Sequence, residues 1–298
     1  MKKVAFWLLP ILISCLSFAD QFIVNWKTRI SLGRYHSCVI QADGKVRCWG
    51  RSAANQTAVP PDLEKAIAVA AGGLHSCAIQ SNHQLRCWGE NHDHQSDVPR
   101  DLGPVLEVAL GYDHSCAILE DKSLRCWGNN EEGQIDVPED LGEVRAISLG
   151  YGSTYAIQTD GHLRSWGSNL IPNELGIIKS LAVGYHHACA VREDGSLVCG
   201  GRNGVGQADE PEGLGKVSSV SVGEFHTCVI REENSQLVCF GDEKFNQIEL
   251  LNELGTVLGL AAGGKHTCAM LANGELKCLG LNEDGQTNIP IDLGPLLH

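Results

Sequence analysis

The chain is poor in positive charge, and after its first residues it has no long apolar run. Lys and Arg number 23 against 36 Asp and Glu, a formal net charge of −13. Nucleic acid is a disfavoured partner for such a chain, because affinity there comes largely from Lys and Arg neutralising phosphates. An anionic membrane surface is disfavoured for the same reason. The one extended apolar stretch, Val4 to Leu16, is too short to span a bilayer, so no transmembrane segment is expected. Helical periodicity is missing too: no segment keeps a 3.6-residue apolar spacing long enough to make a helix. No G-x-S-x-G elbow, phosphate-cradling loop or paired catalytic motif occurs. Hence neither an enzyme activity nor a cofactor is expected.

What is present begins with an export signal. Lys2 and Lys3 precede the apolar stretch, and Ser17-Phe18-Ala19 forms a small-x-small cleavage site, so residues 1–19 read as a signal peptide. An alternative is a lipoprotein box at Leu12-Ile13-Ser14-Cys15, which would leave Cys15 lipidated. Against it, strand-like sequence begins at Phe22 and leaves almost no tether. The expected product is a periplasmic or secreted monomer, a single domain over residues 20–298. Loss of the leader leaves 21 basic and 36 acidic side chains, a net charge of −15.

That domain is repetitive. A unit G-x-x-H-S/T-C-x-apolar starts at Gly33, Gly72, Gly111, Gly150, Gly184, Gly223 and Gly263, at intervals of 39, 39, 39, 34, 39 and 40 residues. A second element, C-W-G in its full form, closes on Gly50, Gly89, Gly128, Gly167, Gly201, Gly241 and Gly280. Six residues later stands Gln56, Gln95, Gln134, Gln207, Gln247 or Gln286; the fourth unit has none. The preceding residue is Asn55, His94, Gly133, Gly206, Asn246 or Gly285, all types that tolerate positive φ, so a tight left-handed turn is expected there. The intervening runs are short, rich in Val, Ile and Ala, and bounded by Gly or Pro. Each unit has room for about four strands. Runs such as Cys77-Ala78-Ile79 are apolar on both faces, which requires sheets covered on both sides. The expectation is an all-β, closed seven-bladed β-propeller of ~39-residue repeats.

The G-x-x-H-S/T-C-x-apolar, C-W-G and N-x-x-G-Q series resembles the regulator-of-chromosome-condensation repeat family across essentially the whole exported chain. The resemblance implies a seven-bladed propeller and leaves function open. The family includes a nuclear guanine-nucleotide exchange factor, a secreted bacterial propeller that inhibits β-lactamases, and many extracytoplasmic members.

Twelve cysteines fall in pairs within repeats: Cys38/Cys48, Cys77/Cys87, Cys116/Cys126, Cys189/Cys199, Cys228/Cys239 and Cys268/Cys278. A three-residue hairpin loop with Gly44 left-handed sets Gln41 opposite Lys45, and counting back sets Cys38 opposite Cys48. The Cα atoms then stand ~4.5 Å apart, at the short end of what a disulfide accepts. The sixth unit holds one extra residue, so a different register is expected there. The fourth has Tyr155 and Ser165 instead; loss of both partners together points to a bridge rather than a metal site.

His36, His75, His114, His187, His226 and His266 recur once per unit, which fits a loop-holding role better than chemistry. No metal site is expected, since His92-Asp93-His94 and the acidic turns lack a full ligand set. What varies between units is the pair of residues after the first glycine, which includes Tyr35, Tyr112, Tyr151, Tyr185 and Phe225. Aromatic residues on rigidly held loops are candidate anchors for a protein partner; packing on the next blade is the competing reading. The reading as a whole is a non-catalytic binding propeller, an enzyme inhibitor in its narrower form. The alternatives are an exchange-factor-like effector on a host GTPase, and a propeller lyase or glycosidase.

Overall fold

The computed structural model describes residues 29–168, 171–245 and 254–296. The leader, Cys15, Asn246 and Gln247 lie outside them. The described residues are all-β: seven antiparallel three-stranded sheets, one per repeat, each paired in chain order. In the first, Ile30–Leu32 pairs with His36–Ile40, which pairs with Val46–Gly50. Every residue of the middle strand His36–Ile40 is buried, as the two-sided apolar pattern requires. The first strands of all seven sheets line one axial cavity of about 330 Å³.

Among the described residues three strands form per repeat, where room for about four was expected. The remaining segment is a chain of turns. After Gly50, Asn55 N–H bonds to Ser52, Ala58 N–H to Asn55, and Leu63 N–H to Pro60. Donors spent on nearby carbonyls, and prolines that have none, leave little to ladder with a neighbouring strand. The left-handed turns occur where expected: φ is 63° at Asn55 and His94, 75° at Gly133 and Gly206, and 76° at Gly285.

Six disulfides join middle to outer strands, Cys38–Cys48, Cys77–Cys87, Cys116–Cys126, Cys189–Cys199, Cys228–Cys239 and Cys268–Cys278. Cys38 stands directly opposite Cys48, with Cα atoms 4.1 Å apart. The sixth repeat departs from expectation, because its register is the ordinary one, Cys228 facing Cys239. Its extra residue is absorbed in the turn, where Ser235 takes φ 54° and Arg231 N–H reaches Gln236. A loop accepts an insertion more cheaply than a ladder buried on both faces.

The seventh sheet adjoins the first. Ile30, Leu32 and Val39 share an apolar cluster with Ala261, Cys268 and Met270. The C-terminal connector lies under the first sheet as each connector lies under the next one: Ala42 N–H bonds to Pro295 much as Ser81 N–H bonds to Lys65. No helix among the described residues is long and apolar enough to cross a membrane.

Candidate functional site

The variable pairs after each first glycine form the loops between first and middle strands, and these loops converge at one mouth of the axial cavity. Glycine is required at the base by close approach. A Cβ on Gly33 would stand 2.4 Å from the Gly72 carbonyl oxygen and 2.4 Å from the His36 ring. Backbone bonds run from loop to loop: Arg34 N–H to Gly72, Gly73 N–H to Gly111, Tyr112 N–H to Gly150, and Gly264 N–H to Gly33.

The histidines lock these loops to the next blade. The Ser76 hydroxyl donates to the Gln56 carbonyl at 2.9 Å, so its lone pair accepts from His36 Nε2–H, also at 2.9 Å. Trp88 Nε1–H donates to the same carbonyl. The same relay links His75 to Ser115 and Gln95, His114 to Thr154 and Gln134, His187 to Thr227 and Gln207, and His266 to Ser37 and Gln286. His226 likewise reaches Thr267 at 2.7 Å. Burial holds the rings neutral: their pKa values fall to about 4 at His36 and His187, and to about 3 at His75, His114, His226 and His266. A neutral ring with Nε2–H donating and no charge of its own is a strut.

Arg34, Tyr112, Tyr151, Tyr185 and Glu224 occupy the first variable slot and gather at the cavity mouth. The guanidinium of Arg34 lies over three rings, 5.0 Å from the centroid of Tyr35, 5.2 Å from Tyr112 and 5.3 Å from Tyr185. It donates to the Tyr112 hydroxyl at 2.7 Å and pairs with Glu224 at 3.5 Å. Tyr112 lies 4.9 Å from Tyr151 and 5.5 Å from Tyr185, and Tyr151 lies 5.8 Å from His186. Tyr112 and Tyr185 are half-buried, and burial raises both phenol pKa values, that of Tyr185 well above the ordinary range. Tyr151 is 49% exposed.

The sequence-derived candidates therefore divide. The structure brings Tyr112, Tyr151 and Tyr185 together, closer than one blade width, because first-slot residues lean on the axis. Tyr35 and Phe225 sit in the second slot: Tyr35 meets the cluster through Arg34 and lies between it and Arg51, whereas Phe225 lies between Arg202 and Lys265. Sequence reasoning passed over Arg34, Glu224 and His186. Reading the slot across all seven repeats, instead of searching it for aromatics, would have found them.

Charge is uneven around this mouth. Asp113 follows Tyr112, and its carboxyl is raised to about 6, first by burial and then by Glu90 and Asp93. Glu132 reaches the next loop, where its Cγ lies 3.0 Å from the Cβ position of Gly152. The opposite side carries Arg202 and Lys265 around Phe225.

A sequence profile of the Regulator of chromosome condensation (RCC1) repeat matches residues 28–56, 66–95, 105–134, 178–207, 217–247 and 257–286. The fold is similar to that of the CRINKLY WD40 ectodomain of the Arabidopsis thaliana receptor kinase ACR4. That match has 25% identity and a TM-score of 0.72, and covers 89% of this chain and 98% of that one. Prp20p of Saccharomyces cerevisiae, whose structure is described with its binding to Gsp1p and histones, is 18% identical with a TM-score of 0.68, over 85% of this chain and 82% of that one. Human WBSCR16 is 16% identical with a TM-score of 0.70, over 81% and 85%. Among curated proteins, none matches.

Proposed function

The chain belongs to the regulator of chromosome condensation repeat family, and from that premise we propose an exported, non-catalytic propeller whose seven blades close into a ring and whose axial rim binds a protein. The contacts between first and seventh sheets support closure. Six disulfides support an oxidising compartment, and with it export under the N-terminal leader. Family neighbours described with protein partners support binding as the activity. Enzyme inhibition is its narrower form.

The observation that carries this reading is the cluster of Tyr112, Tyr151 and Tyr185 on loops braced by buried relays, with Tyr151 half in solvent. A few aromatic anchors on a rigid frame supply most of the energy of a typical interface. Among the described residues the Tyr151 side chain touches other rings and makes no hydrogen bond to another blade, so its loss should leave the ring intact. Tyr112 accepts from Arg34 and is a poorer probe. We expect Tyr151→Ala to weaken capture of the native extracytoplasmic partner at least tenfold, about 1.4 kcal/mol, with little change in Tm. Equal capture by the variant and the parent would end the rim hypothesis.

A further inference from the structure

Resting on the rim reading, we infer that Tyr151, with the Tyr112 and His186 rings tilted against it, Glu132 against its loop and Asp113 beyond Tyr112, is a receptor for an arginine side chain of the partner. The molecule already shows what its rings accept. Arg34 places its guanidinium 5.2 Å and 5.3 Å from the centroids of Tyr112 and Tyr185, donates to one phenol and pairs with a carboxylate. That arrangement is an internal complex of the proposed kind: a planar cation on aromatic faces, with an acid as counter-charge.

Tyr151 continues the same ring cluster outward, 4.9 Å from Tyr112, yet among the described residues no Arg or Lys lies over it. Its surroundings are acidic. Asp113 adjoins Tyr112, and Glu132 reaches the loop at Gly152, where Ser168 donates to it at 3.4 Å. Glu90 and Asp93 both bear on Asp113, and among the described residues none of the three, nor Glu132, has an ion-pair partner. A cation arriving on Tyr151 would be drawn by Glu132, and at longer range by Asp113, as Arg34 is paired by Glu224. Arginine fits better than lysine because its plane stacks while its edge donates to carboxylates.

The test uses the disulfide-intact exported chain and the peptide acetyl-Gly-Arg-Gly-Arg-Gly-amide, with counterparts in which lysine or neutral citrulline replaces arginine. We expect the arginine peptide to bind at least tenfold more tightly than the citrulline peptide, and more tightly than the lysine one. Tyr151→Ala should lose about tenfold and Tyr151→Phe little, since the ring face carries the contact. Asp113→Asn should weaken binding severalfold. Affinity should also fall between pH 7.5 and 5, as Asp113, which faces Glu90, Asp93 and more weakly Arg34, takes up a proton. Equal binding of arginine and citrulline peptides overturns the inference. So does arginine binding that survives both Tyr151→Ala and Asp113→Asn, which would be diffuse attraction to an acidic protein. If Tyr151→Ala abolishes capture of the native partner while the arginine peptide neither binds nor competes, the arginine receptor falls and rim docking stands. If the peptide binds at Tyr151 while capture is untouched, rim docking falls and the receptor stands.

Discussion

The junction of the first and second blades and that of the fourth and fifth join similar sheets by different means. At the first, His36, Ser76, the Gln56 carbonyl and Trp88 form one bonded set. At the second, all four members are gone together: Ser153 replaces the histidine, Ala188 the hydroxyl, Gly200 the tryptophan, and the shortened repeat has no glutamine turn. Ser153 Oγ is buried without a partner among the described residues. Apolar packing takes over, with Tyr155, Ile157 and Leu163 of the fourth blade against Val183, Ala188 and Ala190 of the fifth. Arg145 also donates to the Ile178 carbonyl, while the bond from Val183 N–H to Ser148 repeats the one from Ala71 N–H to Ser31 at the first junction. Tyr155 fills the place of a cysteine and accepts from Ile171 N–H, while Ser165 donates to Asn173, so the missing bridge is replaced by bonds to the shortened connector. The lesson is that histidine and hydroxyl go together, while the tryptophan is separable: Phe240 and Leu279 stand in its place where His187–Thr227 and His226–Thr267 persist. Either of the pair left alone would be a buried polar group without a partner, at about 1–3 kcal/mol.

The largest test of this contrast is acid. The relay histidines are neutral in the fold with pKa values of about 3 to 4, against 6.5 unfolded. Below pH 6.5 the unfolded chain therefore binds protons that the folded chain refuses. The stability they contribute is full above pH 6.5 and is lost as pH falls toward 4, each ring giving up as much as about 1.4 kcal/mol per pH unit. Asp113, raised to about 6, works weakly in the opposite sense. Calorimetry should show Tm falling steadily below pH 6.5; a flat profile down to pH 4.5 would contradict neutral buried struts. A smaller effect comes from equivalent single changes. His75→Ala should cost about 2–4 kcal/mol in denaturant unfolding, for its cavity and lost bond. Ser153→Ala, at the same place in the fourth blade, should cost under about 0.5 kcal/mol or stabilise. Comparable losses would erase the distinction between junctions. The smallest effect is local. Amides of Ile178–Val183 should exchange about tenfold faster than those of Ala66–Ala71, since openings are cheapest where constraints are fewest. Equal protection would mean that Tyr155 and its cluster compensate fully.

Much of this molecule was legible in the chain because its signals are local and repeated. The left-handed φ at Asn55 and His94 follows from residue type, and the facing of Cys38 and Cys48 follows from a count along one hairpin. The count failed in the sixth repeat, where nothing local says whether an extra residue enters a strand or a turn. The fourth strand failed for a similar reason: room in the repeat says nothing about bonding, and whether the segment around Val59 and Leu63 pairs is decided by what neighbouring chain is free to pair. At the rim, the tyrosines were visible and their companions were not. Arg34 stands 78 residues from Tyr112 and 190 from Glu224. No spacing in the chain records those meetings.

By itself, then, the sequence determined the number and kind of blades, the pairing of its cysteines and the place of the loops that vary. These depend on backbone geometry and apolar pattern within some forty residues, where chain neighbours are also neighbours in space. Only the tertiary structure decided which side chains share the axial mouth, that the histidines, hydroxyls and glutamine turns bond into a relay between blades, and which tyrosine faces water. Stacking the blades around one axis brings residues together by position in the repeat, and it sets the burial and charge around each of them.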